Sequence, residues 1–491
     1  MTTISNMVSA HGLSRAQIDP LCSPVLQREL PGLAEALDEQ AMRARLQALL
    51  FGDESRYQIE RCNPGQAIYL GGDFCGLRYE MEVRDQAGGA LLEPLVIGRV
   101  FQDAAACASF MRDTLAPVAA RMQGRSELAA FARAAGRFEA LNMIVHAFPI
   151  DGDLPILVDV TDARTAPALL ADMLPETRAG GFTPRDCQVD LAHYGRQHRC
   201  TLRYTLTDGA SERRVVYGKV AADGSGARTA PVIAALREQL AASQVNIPHV
   251  LAFRPDVQLL LLEAIPGKPQ IARLLKARLA GKPPAGELAL ENAIAACGRI
   301  AAAMHEVKIA PDRQRALEPE VEWLRKSIQA LGRISPELGA RLQSWLEQAT
   351  ASAGRSAPLP LCFSHGDFTY TQLIFDGQQS GLVDFDTVCQ AEPALDLGQF
   401  LAYQRLAILK DQRPEAPMPA AATEQLCGVF LDTYITARGA AIGDQQQLRD
   451  RVALYEVLML LRLAIHSWQK LKVSRLEHAL TLLEERMLCL Q

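Results

Sequence analysis

The sequence predicts an α+β fold in which strand-rich parts of the chain precede a mainly helical part. Three observations lead to this prediction. Short runs with the composition of strands fill two blocks, which begin near Tyr57 and near Cys187. Most of the chain after Pro269 has apolar residues at helical spacing instead. The two strand-rich blocks also match each other in sequence, which indicates a duplicated unit.

The composition is that of an ordinary globular protein and argues against several classes of function. The 491 residues are 49% hydrophobic and 22% charged, with a formal net charge of -5. This balance argues against a nucleic-acid partner bound through bulk positive charge. Residues 1–10 lack a signal-peptide pattern, no run approaches the roughly 18 apolar residues of a membrane span, and the eleven cysteines form no CxxC pair. We expect a cytoplasmic protein with reduced thiols and no nucleic-acid or membrane partner; its oligomeric state stays open.

Changes of composition along the chain predict four parts. These are an N-terminal helical segment, a first strand-rich unit, a second strand-rich unit and a mainly helical part: residues 1–55, 56–180, 187–267 and 268–491. The helical prediction for the first part rests on the Leu-, Ala-, Glu- and Arg-rich stretch from Arg28 to Leu50.

The two strand-rich units match at several places in the same order. The matched pairs are Leu77-Arg78-Tyr79 with Leu202-Arg203-Tyr204, Ile97–Val100 with Tyr217–Val220, Val145–Phe148 with Val250–Phe253, and Pro155–Val158 with Leu260–Glu263. Ordered matches favour duplication, and two unrelated sheets of similar composition are the alternative. The first copy has Arg99 where the second has Lys219, and arginine is no geometric substitute for an ammonium. We therefore expect the first copy to be a degenerate lobe that caps, braces or regulates.

The stretch from Ser364 to Asp386 carries the candidate chemistry. An apolar run ends in His365-Gly366-Asp367, Gln372 follows five residues after Asp367, and a second apolar run ends in Asp384. Phosphoryl transfer requires such a set: one carboxylate orients a hydroxyl, and an amide oxygen and a second carboxylate hold magnesium against ATP phosphates. A loop Asp that caps a turn is the alternative for Asp367, but the second Asp at this distance favours the functional interpretation.

This stretch resembles the catalytic and metal-binding segments of the aminoglycoside phosphotransferase-like kinases. The resemblance implies a two-lobe protein-kinase-like fold with ATP in the cleft, preceded here by the duplicated, degenerate N-terminal lobe. It implies that Asp367 is the catalytic carboxylate, that Gln372 and Asp384 bind Mg²⁺, and that Lys219 contacts the ATP phosphates. Gln372 stands where the family usually has Asn, a departure that resembles maltokinases. A hydrogen-bonded loop amide is the alternative role for Gln372.

The resemblance also implies further contacts with the nucleotide. Glu238, on the helical stretch after Lys219, would form the ion pair that orients the lysine, and a solvated helix Glu is the alternative. Glu263 and Ile265 lie in a hinge-like segment, where backbone groups would pair with adenine. The loop over the phosphates should fall at residues 193–199, where Gly195 is the one glycine and no Gly-rich loop is visible.

Three other residues of the motif region are expected to be structural. The resemblance assigns His305 to the core of the lobe, His365 to hydrogen bonds that fix the catalytic loop, and Asp396 to bracing that loop. For Asp386, support of the metal site and an exposed turn are both open.

Together these features predict an ATP- and Mg²⁺-dependent small-molecule kinase with a hydroxylated acceptor. A sugar is the leading acceptor, and aminoglycosides and amino alcohols are the other candidates. The competing hypothesis is a pseudokinase-like regulatory protein that binds nucleotide as a structural ligand, which the changed amide and the missing Gly-rich loop would permit. Retention of Lys219, Asp367 and Asp384 together favours catalysis.

Overall fold

The computed structural model describes residues 11–195, 199–282, 288–377, 379–413 and 415–490. Helices and sheets are both present in large number, and the predicted α+β class is confirmed. Among the helices that the structure describes, none combines the length and apolar character that a membrane crossing requires.

Four short helices precede the first sheet, and they occupy the stretch for which the sequence predicts helix. They are α1 (Arg15–Ile18), α2 (Pro24–Glu29), α3 (Leu33–Ala36) and α4 (Glu39–Leu46), and α4 continues into a π-helical turn at Gln47–Phe51. Asp38 caps α4 by accepting a hydrogen bond from the backbone N–H of Ala41. The Ser23 hydroxyl donates to the carbonyl of Ile334 at 2.6 Å, which fastens this segment to the helical lobe.

The first sheet has six strands. They are β1 (Tyr57–Tyr69), β2 (Phe74–Asp85), β3 (Leu91–Leu92), β4 (Leu95–Phe101), β5 (Ala135–Phe138) and β6 (Met143–Ala147). Five lie in the antiparallel order β1-β2-β4-β6-β5, and β3 pairs with β2. The connection from β4 to β5 contains α5 (Ala104–Ser109), a π-helical turn at Phe110–Leu115 and α6 (Ala116–Arg121).

Three short helices lead into the second sheet. They are α7 (Leu157–Val160), α8 (Ala166–Ala171) and α9 (Pro175–Arg178). The strands are β7 (Pro184–Tyr194), β8 (Arg199–Asp208), β9 (Arg213–Ala221), β11 (Val250–Arg254) and β12 (Leu259–Glu263), in the antiparallel order β11-β12-β9-β8-β7. Helix α10 (Ser225–Gln239) follows β9, and β10 (Val245–Asn246) pairs outside this sheet.

The two sheets share their strand order. If β3 is set aside, the fifth strand of each sheet lies between the third and the fourth, and helical structure joins the third strand to the fourth. In each sheet a tyrosine hydroxyl donates to the last carbonyl of a preceding four-residue helix: Tyr79 to Ala36 at 2.5 Å and Tyr204 to Val160 at 2.8 Å. On these grounds we keep the duplication of the strand-rich unit as a proposal.

The structure corrects two of the matched sequence pairs. Val145 to Ala147 lie in β6, whose place in the first sheet is that of β12 in the second, whereas Val250–Phe253 lies in β11. Pro155–Val158 runs into α7 and is not a strand, so its match with Leu260–Glu263 is wrong. Short apolar runs from neighbouring strands have similar composition, and only the pairing order distinguishes them.

The rest of the chain forms the helical lobe. Its helices are α11 (Ile271–Leu279), α12 (Leu290–Met304), α13 (Leu317–Gly332), α14 (Pro336–Ala353), α15 (Ala394–Asp411), α16 (Ala420–Arg438), α17 (Gln445–Gln469) and α18 (Val473–Leu488). Short strands carry the candidate site: β13 (Gln314–Arg315), β14 (Cys362–Ser364), β15 (Leu373–Phe375), β16 (Ser380–Leu382) and β17 (Cys389–Ala391). β10 pairs with β16 in parallel, which ties the second strand-rich unit to this lobe.

Two apolar clusters divide the core. The larger one runs from the first sheet into the helical lobe, where the rings of Tyr69 and Trp468 lie 6.3 Å apart. The smaller one joins one face of the second sheet to α7 and α8. The first sheet is therefore anchored on the helical lobe through a shared core.

Candidate active site

The catalytic loop follows β14 and is held by one buried carboxylate. Asp396, in the first turn of α15, accepts hydrogen bonds from the backbone N–H groups of His365 at 2.7 Å and Gly366 at 2.9 Å. His305 Nε2 lies 3.3 Å from the same carboxylate, and His305 Nδ1 lies 3.0 Å from the Tyr434 hydroxyl. Burial raises the pKa of Asp396, but hydrogen bonds and charge from the histidines outweigh burial, so this pKa lies below its ordinary value. These are the contacts that a bracing role requires.

Close backbone packing explains the glycine of the loop. Gly366 has a φ of 76°, and a Cβ atom there would overlap the carbonyl oxygen of Thr387. The Gly366 carbonyl accepts a hydrogen bond from Arg315 at 2.7 Å. His365 Nε2 lies 3.0 Å from the carbonyl oxygen of Val383, and the Thr387 hydroxyl donates to the carbonyl of His365 at 3.0 Å. The loop is thus fixed to the segment that follows β16.

The catalytic loop brings three predicted site residues together: Asp367, Gln372 and Asp384. Gln372 Nε2 lies 3.4 Å from Asp367 Oδ2 and 3.3 Å from Asp384 Oδ2, so one amide bridges two carboxylates. Burial raises the pKa of Asp367 above its ordinary value; the charge of His365 opposes this shift and the Asp384 carboxylate adds to it.

Lys219 reaches the same point from β9. Its Nζ donates to Asp384 Oδ1 at 2.6 Å and to Asp386 Oδ1 at 2.7 Å. Burial lowers the pKa of Lys219, but the two carboxylates outweigh burial and raise it. Burial likewise raises the pKa of Asp384, and the Lys219 ammonium reverses that shift, so the Asp384 pKa lies below its ordinary value. Asp386 is therefore a partner of the lysine rather than an exposed turn residue.

The ion pair predicted between Lys219 and Glu238 is not formed. Glu238 is exposed near the end of α10 and forms no ion pair with any residue that the structure describes. The buried face of α10 includes Thr229 and Ile233. Glu238 follows Ile233 by five positions, which turns its side chain away from that face because a helix has 3.6 residues per turn. The ion-pair partners of Lys219 are instead Asp384 and Asp386, from the helical lobe.

The hinge segment lies against the strands of the catalytic region. Glu263 ends β12, and its N–H donates to the carbonyl of His249 at 2.9 Å. Lys268 exchanges backbone hydrogen bonds of 3.0 and 3.1 Å with Phe375 at the end of β15. A Cβ atom on Gly381 would lie 2.6 Å from Ile265 Cδ1, so the glycine makes room for this side chain over β16.

The stretch predicted to cover the phosphates, residues 193–199, begins at the end of β7 and ends at the start of β8. Residues 196–198 of this prediction lie outside the described residues. Tyr194 ends β7 and Arg199 begins β8. Arg199 lies 3.5 Å from Asp386 Oδ2, which brings the start of β8 to the lysine-binding carboxylates.

Gln399 is a site residue that the sequence analysis missed. Its Nε2 donates to Asp367 Oδ1 at 2.6 Å from the buried side of α15. Amide groups therefore contact both oxygens of Asp367, since Gln372 approaches Oδ2. Gln399 follows Asp396 by three positions on one helix, and this spacing, which puts two side chains on the same face, was the signal available in the sequence.

A cavity of about 390 Å³ lies elsewhere in the helical lobe. Its lining includes His305, Leu361, Tyr434 and Arg438 and contains none of the predicted site residues. We assign this cavity no part in the chemistry of Asp367.

Part of the chain matches the model of a known family. Residues 201–408 match the phosphotransferase enzyme family (APH), and this range contains Lys219 together with Asp367, Gln372 and Asp384. No curated protein sequence matches the chain.

Several solved structures are similar to this chain at low identity. A choline/ethanolamine kinase family protein from Mesorhizobium loti is 14% identical, with 66% of this chain and 97% of that chain covered and a TM-score of 0.42. Choline kinase from Cryptosporidium parvum Iowa II is 12% identical, with 67% and 95% covered and a TM-score of 0.46. Macrolide 2'-phosphotransferase from Brachybacterium faecium is 14% identical, with 65% and 98% covered and a TM-score of 0.39. At these scores the similarities carry no argument; the match of residues 201–408 to the phosphotransferase enzyme family supports a small-molecule kinase.

Proposed function

We propose that this kinase transfers the γ-phosphate of ATP, with Mg²⁺, to a hydroxyl of a small metabolite, with a sugar as the leading acceptor. The observation that carries the proposal is the convergence of Lys219, Asp367, Gln372 and Asp384 within hydrogen-bond contacts of 2.6–3.4 Å. Three of these residues approach from the helical lobe and the fourth from the second sheet, as nucleotide binding between two lobes requires.

Asp367 is the proposed catalytic residue. Its carboxylate would accept a hydrogen bond from the acceptor hydroxyl and take up the proton as the new bond to phosphorus forms. Gln399 and Gln372 donate to its two oxygens and hold the carboxylate in one orientation.

Gln372 and Asp384 fit a magnesium site. Carboxylate and amide oxygens are ligand types that Mg²⁺ accepts, and it commonly takes one or two protein ligands and completes its shell with water and phosphate oxygens. The Gln372 amide would turn its Oε1 towards the metal in place of the Nε2 that now faces Asp384. When bound, Mg²⁺ neutralises charge on the phosphates.

The proposed nucleotide contacts come from the second strand-rich unit. On binding, the Lys219 ammonium would exchange a carboxylate partner for phosphate oxygens. Adenine would pair with backbone groups at Glu263 and Ile265. The Glu263 N–H is already donated to the carbonyl of His249, so Glu263 would contribute its carbonyl oxygen rather than its N–H.

The surroundings of Asp367 favour a neutral acceptor. Burial raises the pKa of Tyr403, and the nearby Asp367 carboxylate adds to this shift. The Arg475 guanidinium lies 6.0 Å from the centre of the Tyr403 ring. Burial also raises the pKa of Tyr370, with Asp411 and Arg475 nearby as opposing charges. Apart from Asp367 itself, the charged groups that act on these two tyrosines are one arginine and one aspartate, a near balance that suits a neutral sugar better than a polycationic aminoglycoside.

The test is phosphate transfer from ATP with Mg²⁺ to a panel of sugars, aminoglycosides and amino alcohols. We expect a sugar product from the wild type and a turnover about 10²–10⁴ times lower for Asp367→Asn, since that is the usual contribution of a general base. Asp432→Asn removes an exposed carboxylate from α16 and serves as the control with unchanged turnover. Equal turnover of Asp367→Asn and the wild type would contradict the proposed role, and ATP binding without transfer to any acceptor would favour a regulatory pseudokinase.

A further inference from the structure

The cavity in the helical lobe has the size of a small-molecule binding site. Its volume is about 390 Å³, and ligand sites in proteins commonly measure about 300–1,000 Å³. Its walls come from the end of α12, the start of β14, the last turns of α16 and the first turn of α17. The residues proposed for ATP, Mg²⁺ and the acceptor are not among those that line it. A molecule in this cavity would therefore bind apart from the candidate active site.

One side of the cavity is apolar. Its lining includes Val307, Leu361, Ile442 and Leu448. Leu361 is 43% exposed, which places it among the few large apolar side chains that the described part of the chain leaves open to water. A molecule that covers these side chains removes their apolar surface from water, and this burial favours binding. The occupant should therefore have an apolar body.

The charged side chains of the lining are basic. They are Lys308 and Arg438, and no Asp or Glu is among the lining residues that the structure describes. Arg438 Nη1 lies 3.0 Å from Glu306 Oε1, but the Glu306 side chain is 58% exposed, and water screens this pair. Lys308 is exposed and has no ion-pair partner within the described ranges. Two cations against one screened carboxylate favour an anionic occupant.

The Arg438 charge also acts on the buried end of the cavity. Arg438 and Tyr434 are four positions apart on α16 and lie on the same face of that helix. The Tyr434 hydroxyl is 3.0 Å from His305 Nδ1, and both side chains line the cavity. Burial raises the pKa of Tyr434, and the nearby Arg438 guanidinium opposes this shift. The guanidinium is thus close to the inner wall of the cavity as well as to Glu306.

We propose that this cavity is a binding site for a small organic anion with an apolar body. The anionic group would lie at Arg438 and Lys308, and the body would cover Leu361, Ile442 and Leu448. Carboxylate and phosphate groups both pair with such cations, and the apolar body separates this class of ligand from free inorganic anions. The site would be distinct from that of ATP, and the proposal does not rest on the proposed phosphate transfer.

The occupant would contact both segments that hold the catalytic loop. Cys362 lines the cavity and is the first residue of β14, which leads into the loop. Pro393 lines it as well and directly precedes α15, whose first turn carries Asp396. The lining residue His305 lies 3.3 Å from the Asp396 carboxylate. A bound molecule should therefore slow hydrogen exchange in residues 361–366 and in the first turn of α15, because the complex has to open before exchange occurs.

The test measures binding to the full-length protein by calorimetry, with octanoate and phenylbutyrate as the anionic probes. Octylammonium has an apolar body with the opposite charge, and inorganic phosphate has the negative charge without the body. We expect both anionic probes to bind. Octylammonium and inorganic phosphate should bind more weakly by about tenfold or more, since each lacks one of the two contributions that the cavity offers.

Variants of the lining locate the two parts of the probe. Arg438→Gln should raise the dissociation constant for octanoate about tenfold, since it removes a hydrogen bond between charged groups. Lys308→Gln changes an exposed side chain, should raise the constant about threefold and remains informative if Arg438→Gln does not fold. Leu361→Ala should raise it about threefold to fivefold through lost apolar contact. Leu91→Ala is the matched control, because Leu91 is 44% exposed on β3 of the first sheet, and it should leave binding unchanged.

Slower hydrogen exchange in residues 361–366 on addition of octanoate would place the probe in this cavity. Three results would each overturn the proposal: no binding of either anionic probe, equal binding of octanoate to the wild type, Arg438→Gln and Lys308→Gln, or competition between octanoate and ATP. Binding of octanoate by a protein that transfers phosphate to no acceptor would support this site and contradict the proposed function alone.

Discussion

Truncation of Asp396 should destabilise the helical lobe and also reduce turnover. In Asp396→Ala, the N–H groups of His365 and Gly366 lose their acceptor inside the protein, and His305 loses its carboxylate partner. Each buried donor without a partner costs about 1–3 kcal/mol, so the two backbone groups give a loss of about 2–6 kcal/mol in the free energy of unfolding. Displacement of Asp367 by about 1 Å would lower turnover by about 10²-fold.

The assay is urea unfolding followed by tryptophan fluorescence. All three tryptophans, Trp323, Trp345 and Trp468, lie in helices of the helical lobe, so the signal reports the part of the protein that Asp396 supports. Turnover is measured at a temperature at which each variant is folded. Asp396→Asn, which keeps one acceptor oxygen, gives an intermediate result and remains useful if Asp396→Ala does not fold.

Glu392→Ala is the matched control. Glu392 is 2% exposed, lies just before the same helix and accepts hydrogen bonds from Arg451 and Tyr455. Its truncation should cost about 3–5 kcal/mol, as for other buried charge pairs, and leave turnover per folded molecule unchanged. A loss below about 1 kcal/mol for Asp396→Ala, set against the cost of unsatisfied donors, would refute the reasoning. An equal loss of turnover in Glu392→Ala would refute it as well.

Three more predictions follow from the same geometry. Because the pKa of Asp396 is lowered in the folded protein, the unfolded state binds more protons at acidic pH. The stability that Asp396 contributes therefore falls as the pH drops below the ordinary Asp pKa of about 4. The difference in urea midpoint between the wild type and Asp396→Asn should accordingly become smaller between about pH 6 and pH 3. Gly366→Ala should lose activity and soluble protein because its Cβ would meet the carbonyl oxygen of Thr387. Gly377 also has a positive φ but nothing within 4 Å of a Cβ atom, so Gly377→Ala should cost only the backbone strain, about 1–3 kcal/mol by thermal unfolding. Lys219→Met should raise the dissociation constant for ATP in calorimetry about tenfold or more, since hydrogen bonds to charged groups contribute about 1.5–3 kcal/mol; an unchanged constant would contradict the phosphate-binding role.

Much of the fold class and the candidate motif could be read from local sequence. The apolar runs that end in Asp367 and Asp384, with Gln372 between them, fall within about twenty neighbouring residues. Such a local pattern can be recognised without knowing how distant parts of the chain pack. The α+β class follows in the same way from runs of strand-like and helix-like periodicity. The predicted roles of these residues in catalysis and metal binding stay predictions.

Only the tertiary structure decided which distant groups meet. The partners of Lys219 are 165 and 167 residues away, and Tyr194 and its hydrogen-bond partner Asp151 belong to different strand-rich units. The sequence analysis gave Lys219 the wrong partner, Glu238, because a charge on a helix carries no local mark of the face that will be buried. Pairing order likewise separated β6 from β11, which have similar composition. Such contacts depend on how complete units pack through their apolar cores, and periodicity along the chain contains no information about that packing.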